Sequence, residues 1–362
     1  MNELFEKRIN TLRTLISDKK EALFLSNEVN IGYFTGFFHS EGYLVVTQNS
    51  AALLVDFRYF EAAQNKARGC KVICFQKLSE SVLDVLGSEQ IVYVLAEANN
   101  LTVSRFQFFK KTMSEHGIDF KADGSLDKKI GNIRIIKDKT EIEKIEKAQR
   151  IAEKAYLEML NFLKPGVSER ELAARLEFEM KLGGAEDISF DLITVTGKKT
   201  SLPHGVPSDE KVQAGDFFTC DFGAIYDGYH SDTTRTVAVG FATDEMREIY
   251  EIVLKAQLSA LEIIRPNVKC SDVDKTARDI IEQNGYGVNF GHSTGHGVGL
   301  DIHELPFVSA KSDTILQPGM IITDEPGIYL PNKFGVRIED MVCVTENGYY
   351  NFVNLPKELL IL

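Results

Sequence analysis

Two patterns of apolar spacing divide the chain. Up to about residue 125, short apolar runs alternate with charged amphipathic stretches. Residues 21–26, 42–47, 51–56, 71–75 and 91–96 are rich in Val, Ile, Phe and Tyr and bounded by Asn, Ser and Gly, so they read as strands. The stretches 59–67 and 103–116 between them read as helices, which makes this region a small α/β domain. Residues 122–127, with Asp and Gly, read as a hinge near its end. From Lys139 the spacing turns helical through Ile142, Ile145, Ala148 and Ala152, until Pro165 and Gly166 stop it. The next helix opens on a capping box, Ser168 with Glu171, and ends at Gly183 and Gly184. The change predicts two domains, 1–130 and 131–362.

The second domain carries signs of internal duplication. Pro165-Gly166-Val167 resembles Pro266-Asn267-Val268, and Gly183-Gly184 matches Asn284-Gly285 at the same offset of 101 residues. Ser271 is the expected cap of the second helix. Two similar halves around a shared cleft follow from these matches.

Composition narrows the function. The chain has 362 residues, 44% hydrophobic and 26% charged, as expected for a globular protein of two domains. Its longest apolar runs fall well short of the ~20 residues of a membrane helix. The first residues carry acids and no apolar core of a secretory signal. A net charge of −12 argues against a nucleic-acid or anionic-membrane surface. Five scattered cysteines without a Cys-x-x-Cys pair suit free thiols in a reducing, cytoplasmic compartment.

The candidate chemistry lies in the second domain. Residues 217–239 alternate around Asp227-Gly228, a hairpin signal, and the implied register sets Asp232 opposite Gly223. Asp221 then shares a face with Asp232 at ~7–8 Å between backbones, with Gly223 leaving room for an ion. Alone, the pair reads equally as a solvated sheet face. Three of seven histidines, His292, His296 and His303, fall within twelve residues of a glycine-rich segment. The glycines let the His296 ring approach a ligand, and His292 and His303 suit hydrogen bonding to developing negative charge. The alternative is a glycine-rich loop with structural histidines. Glu325 precedes a Pro-Gly turn, and Arg337 and Glu339 share one strand face, where the arginine would hold a ligand carboxylate. Four carboxylates and one imidazole favour hard or borderline divalent ions, and their charge balances two. Manganese comes first, with cobalt or zinc as alternatives.

The order Asp221, Asp232, His296, Glu325, Glu339 resembles that of the pita-bread metallopeptidases, which comprise aminopeptidase P, prolidase and methionine aminopeptidase. The strings DFGAIYDGYHSDTTRT, HSTGHGVGLDIHELP, TDEPGIYLP and GVRIED carry the likeness, and NIGYFTGF and DFRYFEAA extend it to the first domain. That first domain argues against methionine aminopeptidase, and the intact ligand set argues against creatinase, which uses no metal. The resemblance implies an α/β (α+β) fold: a creatinase-like N-terminal domain, then a pita-bread catalytic domain with a pseudo-twofold repeat.

For the site, the resemblance implies that Asp221 chelates one metal, Asp232 and Glu339 bridge both, and His296 and Glu325 hold the other. Glu325 would also accept a proton from a metal-bridging hydroxide's parent water. His292 and His303 would contact substrate and stabilise the tetrahedral intermediate. His204 would lie beside the proline ring, and Arg337 would stand behind the ligands at the substrate site. His39 would reach a neighbouring subunit's cleft in a homodimer, while His230 and Cys220 are structural and His116 is exposed. The implied activity is an Xaa-Pro aminopeptidase acting on proline-containing peptides. An Xaa-Pro dipeptidase, which needs a cationic group for the free proline carboxylate, is the second reading. A non-catalytic peptide-binding module is the third.

Overall fold

The computed structural model describes residues 2–38 and 41–362, and the chain forms two compact units, one ending at Arg134 and one beginning at Ile135. His39 lies outside the described residues. No helix among these residues is long and apolar enough to cross a membrane.

The first unit is a six-stranded sheet with helices in the connections. Its strands are β1 (Glu21–Leu25), β2 (Tyr43–Val46), β3 (Ala51–Val55), β4 (Lys71–Cys74), β5 (Tyr93–Ala96) and β6 (Asp119–Lys121), in the order β4-β3-β2-β1-β5-β6. Only β2 runs against its neighbours. Its helices are α1 (Asn2–Arg13), α2 (Glu28–Thr35), α3 (Phe57–Lys66), α4 (Leu78–Ser88), α5 (Val103–Ser114) and α6 (Ser125–Arg134). The apolar runs that mark β1, β2, β3 and β5 are nearly continuous because both faces of a covered sheet are buried. Residues 122–127 are not a hinge. Gly124 takes φ +79° and the chain then enters α6, with Leu126 and Ile130 buried on one face.

The second unit is built twice. Helices α7 (Lys139–Leu160) and α8 (Glu169–Leu182) precede β7 (Asp187–Ile188), β8 (Ile193–Thr196), β9 (Phe217–Phe222), β10 (Ala224–Tyr226), β11 (Tyr229–His230) and β12 (Thr233–Ala238). Helices α9 (Asp244–Ile263) and α10 (Cys270–Gln283) precede β13 (Gly295–Gly297), β14 (Glu304–Val308), β15 (Ile321–Asp324), β16 (Gly327–Leu330), β17 (Phe334–Arg337), β18 (Asp340–Val344) and β19 (Tyr349–Asn351). Leu172, Leu176 and Met180 of α8 are fully buried against Phe218, Cys220 and Phe222 of β9. At about 1.5–3 kcal/mol for each such side chain, this face fixes the helix on its sheet. Val273, Ala277 and Ile281 of α10 enter the matching core of the second half with Ile322 and Val342.

The halves also match bond for bond. Gly166 N–H donates to Val212 O as Asn267 N–H does to Leu316 O, and Val212 N–H returns to Val167 O as Leu316 N–H does to Val268 O. Gly166 and Asn267 both have positive φ, as do Gly184 and Gly285. One expectation fails. The cap of α10 is Lys269, in register with Ser168, and Ser271 lies inside the helix. Lysine has no side-chain acceptor, so the start of α10 is held by Cys270 N–H on Thr314 O.

Candidate metal centre

Asp221 and Asp232 come from a hairpin whose register is the expected one: Tyr226 faces Tyr229 and Phe222 faces Thr233. Between these pairs the hairpin passes from the β7-β10-β11 sheet to the β8-β9-β12 sheet. Gly223 serves that crossing and does not make room for an ion. A Cβ there would lie 1.8 Å from Ser231 O, so the two backbones touch. The crossing turns Asp232 into the cleft that Asp221 lines from β9.

His296 enters on β13, where Gly295 and Gly297 allow close approach: added Cβ atoms would meet Thr323 O at 2.0 Å and Leu305 O at 2.3 Å. Its backbone N–H donates to Thr323 Oγ1 and its Nδ1–H to Gly297 O, at 3.1 Å each. The tautomer thus presents the Nε2 lone pair to the cleft. Glu325 leaves the end of β15 with its N–H on Thr294 O, and Glu339 stands between β17 and β18 with its N–H on Thr234 O.

The donor atoms converge. Ligand atoms of Asp232, His296 and Glu339 all lie within 4.8 Å of one another. His296 Nε2 is 3.4 Å from Asp232 Oδ2 and 3.6 Å from Glu325 Oε1. Burial holds the His296 pKa down at about 4, so its ring is neutral and a lone pair faces two carboxylates. Burial, then the charge of neighbouring acids, pushes Asp232 and Glu339 well above the usual carboxylate range. Glu325 is pushed up to about 8, by burial first and Asp221 among the neighbours. Asp221 Oδ1 is buried with no hydrogen-bond partner. An orphaned oxygen, an inward lone pair and mutually repelling acids are what divalent cations relieve, so the donor set fits the expected ions.

A second layer holds the donors in place. Arg337 Nη2 donates to Asp221 Oδ2 at 2.6 Å, Nε to Thr234 Oγ1 at 3.0 Å, and Nη1 to Tyr329 OH at 2.9 Å. Its side chain is only 4% exposed. Arg337 therefore acts on Asp221 from the lining of the cleft. Thr234 also donates to Glu339 Oε2 at 2.7 Å.

The histidines do not form a matched pair. His292 Nδ1–H donates to Ser293 O at 2.8 Å, so Nε2 accepts the Tyr329 hydroxyl at 2.9 Å. Burial lowers its pKa to about 4. Neutral and with both nitrogens engaged, His292 has no free N–H for an oxyanion in this arrangement. His303 is exposed in the same cleft, its ring 4.3 Å from that of His296, and makes no side-chain hydrogen bond among the described residues. His204 is exposed and lines the same cleft, as do Pro203 and Phe190. His230 is paired in β11 and does not line the cleft. His116 is exposed, and Cys220 is buried on the far face of β9 from Asp221.

Sequence reasoning missed Tyr329, Thr234 and Arg278. Tyr329 lies inside TDEPGIYLP, and the hairpin register itself puts Thr234 opposite Asp221, so both signals were present. Arg278 grips the histidine segment through Phe290 O and His292 O and is itself held by Asp274. Nothing in its spacing signals that role. The whole cleft encloses about 900 Å³.

Comparison with known proteins agrees with this geometry. A family model described as "Metallopeptidase family M24" matches residues 143–346, and one described as "Creatinase/Prolidase N-terminal domain" matches residues 8–134. The chain is 41% identical to a Pyrococcus furiosus protein named Xaa-Pro dipeptidase over 361 residues, 99% of this chain and 100% of that one. A solved Bacillus anthracis structure titled Xaa-Pro dipeptidase superposes with TM-score 0.94 at 39% identity, covering 99% of this chain and 100% of its own. A Thermotoga maritima structure titled X-Pro aminopeptidase superposes with TM-score 0.90 at 34% identity, covering 97% and 99%.

Proposed function

Since the chain belongs to metallopeptidase family M24 and carries a creatinase/prolidase N-terminal domain, we propose that it hydrolyses Xaa-Pro dipeptides at a two-metal centre held by Asp221, Asp232, His296, Glu325 and Glu339. The observation that carries this reading is the buried His296 lone pair facing the carboxylates of Asp232 and Glu325. Manganese is the proposed metal, because carboxylate oxygens dominate the set and no thiolate contributes. The sequence alone puts aminopeptidase first. The full-length relative named as a dipeptidase supports the reverse order.

Two divalent ions there supply Lewis acidity toward the substrate carbonyl and a nucleophilic water at neutral pH. The residues supply the rest. Glu325, at the end of β15 with its carboxylate 3.6 Å from His296 Nε2, takes the water proton and returns it to the departing proline nitrogen. His303, whose ring is free toward the cleft, donates to the oxygen on which charge develops. His292 keeps Tyr329 oriented, and Tyr329 in turn bonds Arg337 behind Asp221. His204, Pro203 and Phe190 form the wall proposed for the proline ring. An Xaa-Pro bond is a tertiary amide without N–H, so recognition falls on ring shape and not on an amide donor.

The manganese-loaded enzyme is expected to cut an Xaa-Pro dipeptide and to leave Xaa-Pro-Pro essentially intact. The aminopeptidase reading keeps one specific support, a cleft of about 900 Å³ that has room beyond a dipeptide. Comparable kcat/KM on the tripeptide would restore it to first place.

The proposal includes a cytoplasmic homodimer, resting on the family resemblance and on five free cysteines. Analytical ultracentrifugation is expected to give twice the chain mass at micromolar concentration. A monomer there removes the dimer from the account.

A further inference from the structure

Because the second unit is built twice, each half is a control for the other. At the offset of 101 residues, Leu172, Leu176 and Met180 of α8 correspond to Val273, Ala277 and Ile281 of α10, and all six are buried in matching cores. The neighbouring helix face carries no such match. Ala173 and Glu177 of α8 line the cleft, while the corresponding residues of α10 are Asp274 and Arg278. Helix α8 is held on its sheet without a charged pair at these positions. The pair on α10 therefore serves something other than its own helix.

Its bonds converge on one segment. Asp274 is fully buried and accepts from Arg278 at both oxygens, from Nε at 2.9 Å and from Nη2 at 2.8 Å. A guanidinium held along that edge has a fixed direction. Nη1 then donates to Phe290 O at 3.0 Å, and Nη2 to His292 O at 2.9 Å. Asp274 Oδ1 also accepts from Thr294 N–H at 3.1 Å and from Thr294 Oγ1 at 2.9 Å. One ion pair thus grips residues 290, 292 and 294. A second contact reaches the same histidine through a ring. The guanidinium carbon lies 4.3 Å from the Phe290 centroid, and Phe290 meets the His292 ring edge-on at 5.0 Å.

The segment needs that grip. A Cβ added to Gly291 would meet nothing within 4 Å, so packing does not confine the chain just before His292. The His292 ring nonetheless has to keep one direction. Its Nε2 accepts the Tyr329 hydroxyl at 2.9 Å, and Tyr329 accepts from Arg337, which holds Asp221. Just beyond, Thr294 O accepts the Glu325 N–H at 2.8 Å. Asp274 pins the segment at Thr294, and Arg278 fixes the stretch that carries the histidine.

We infer that Arg278, aimed by Asp274, is a positioning residue for His292: it fixes the histidine's main chain so that the ring keeps its bond to Tyr329 and its place in the cleft. The inference rests on the roles proposed above for His292 and Tyr329 in hydrolysis. Arg278 touches no reacting atom and acts through His292.

Kinetics of the manganese-loaded enzyme on an Xaa-Pro dipeptide, with metal analysis beside them, test this. Arg278→Gln is expected to lower kcat about tenfold, the low end for a residue that orients an active-site group from behind. KM should change by less than about twofold and the bound metal not at all, since Arg278 reaches neither substrate nor ion. Arg278→Lys, which keeps the charge but not the fork, recovers part of kcat. Asp274→Asn combined with Arg278→Gln leaves no buried carboxylate unpaired, so it gives the same reading should the single variant fold poorly. The deciding comparison is a cycle with His292→Ala. In that background Arg278→Gln is expected to cost less than about twofold more. A full kcat in Arg278→Gln, or a loss equally large with and without His292, overturns the inference and leaves the dipeptidase reading intact. A wild type that cuts no Xaa-Pro dipeptide removes that reading and the inference with it.

Discussion

Asp232→Asn is expected to lower kcat/KM on an Xaa-Pro dipeptide by about 10³-fold or more, because it withdraws one of four charges from the proposed two-ion site. Lewis-acid stabilisation by bound metal is worth several kcal/mol, and about 4 kcal/mol corresponds to that factor. Asparagine keeps the shape of the side chain but offers one neutral oxygen. Its amide hydrogens can also face His296 Nε2, now 3.4 Å from Asp232 Oδ2, and would satisfy the lone pair meant for a metal. Stability should move the other way. Asp232 is buried and its carboxyl is held well above the normal range by burial, Asp221 and Glu325, so the metal-free variant is expected to melt no lower than the metal-free wild type. Metal analysis together with thermal melts separates this outcome from misfolding. A variant that retains two ions and more than a tenth of the activity would sink the assignment of Asp232.

Arg337→Met carries the second large effect, through stability and metal affinity together. The Arg337–Asp221 pair is 4% and 13% exposed, and breaking such a buried pair from one side leaves the other charge uncompensated, at about 3–5 kcal/mol. Methionine fills part of the volume, but Asp221 Oδ2, Thr234 Oγ1 and Tyr329 OH each lose a donor. Metal affinity is expected to fall about 10- to 100-fold, as for residues that orient ligands from behind. Urea denaturation of the metal-free protein and competition with a chromophoric chelator read the two effects separately. A loss below about 1 kcal/mol with unchanged affinity would show that Asp221 is held by something else.

The contrast between these residues shows what was legible in sequence. Asp232 and Asp221 announce themselves because a hairpin has period two and Asp227-Gly228 pins its turn, so register follows from counting. The capping box at Ser168 is equally local, and it forms as read. Lys269 could not be read as a cap, because its helix start is secured by a distant backbone carbonyl, Thr314 O, and not by its own side chain. Gly223 was visible as a special position but for the wrong reason. The close approach of Ser231 depends on the hairpin changing sheets, which alternation does not reveal. The hinge at residues 122–127 failed similarly: Asp123 and Gly124 signal a turn, while burial of Leu126 and Ile130 decides that a helix follows. The second layer was hardest. The tyrosine–arginine–threonine contacts behind Asp221 join β12, β16 and β17, and no local spacing encodes them.

The same electrostatics fix how metal binding depends on pH. Glu325 has its folded pKa raised from 4.5 to about 8, so its favourable contribution is complete below about 4.5 and is lost as pH rises through 8. The metal-free protein is therefore most burdened by its buried acids at alkaline pH, where ions bind without displacing protons. Calorimetric titration of the metal-free protein with Mn²⁺ tests the central claim most directly. The account predicts two ions per chain, with affinity rising and proton release falling between pH 6 and pH 8. Saturation with no bound ion, or affinity that does not change with pH, would contradict a centre built from these five residues.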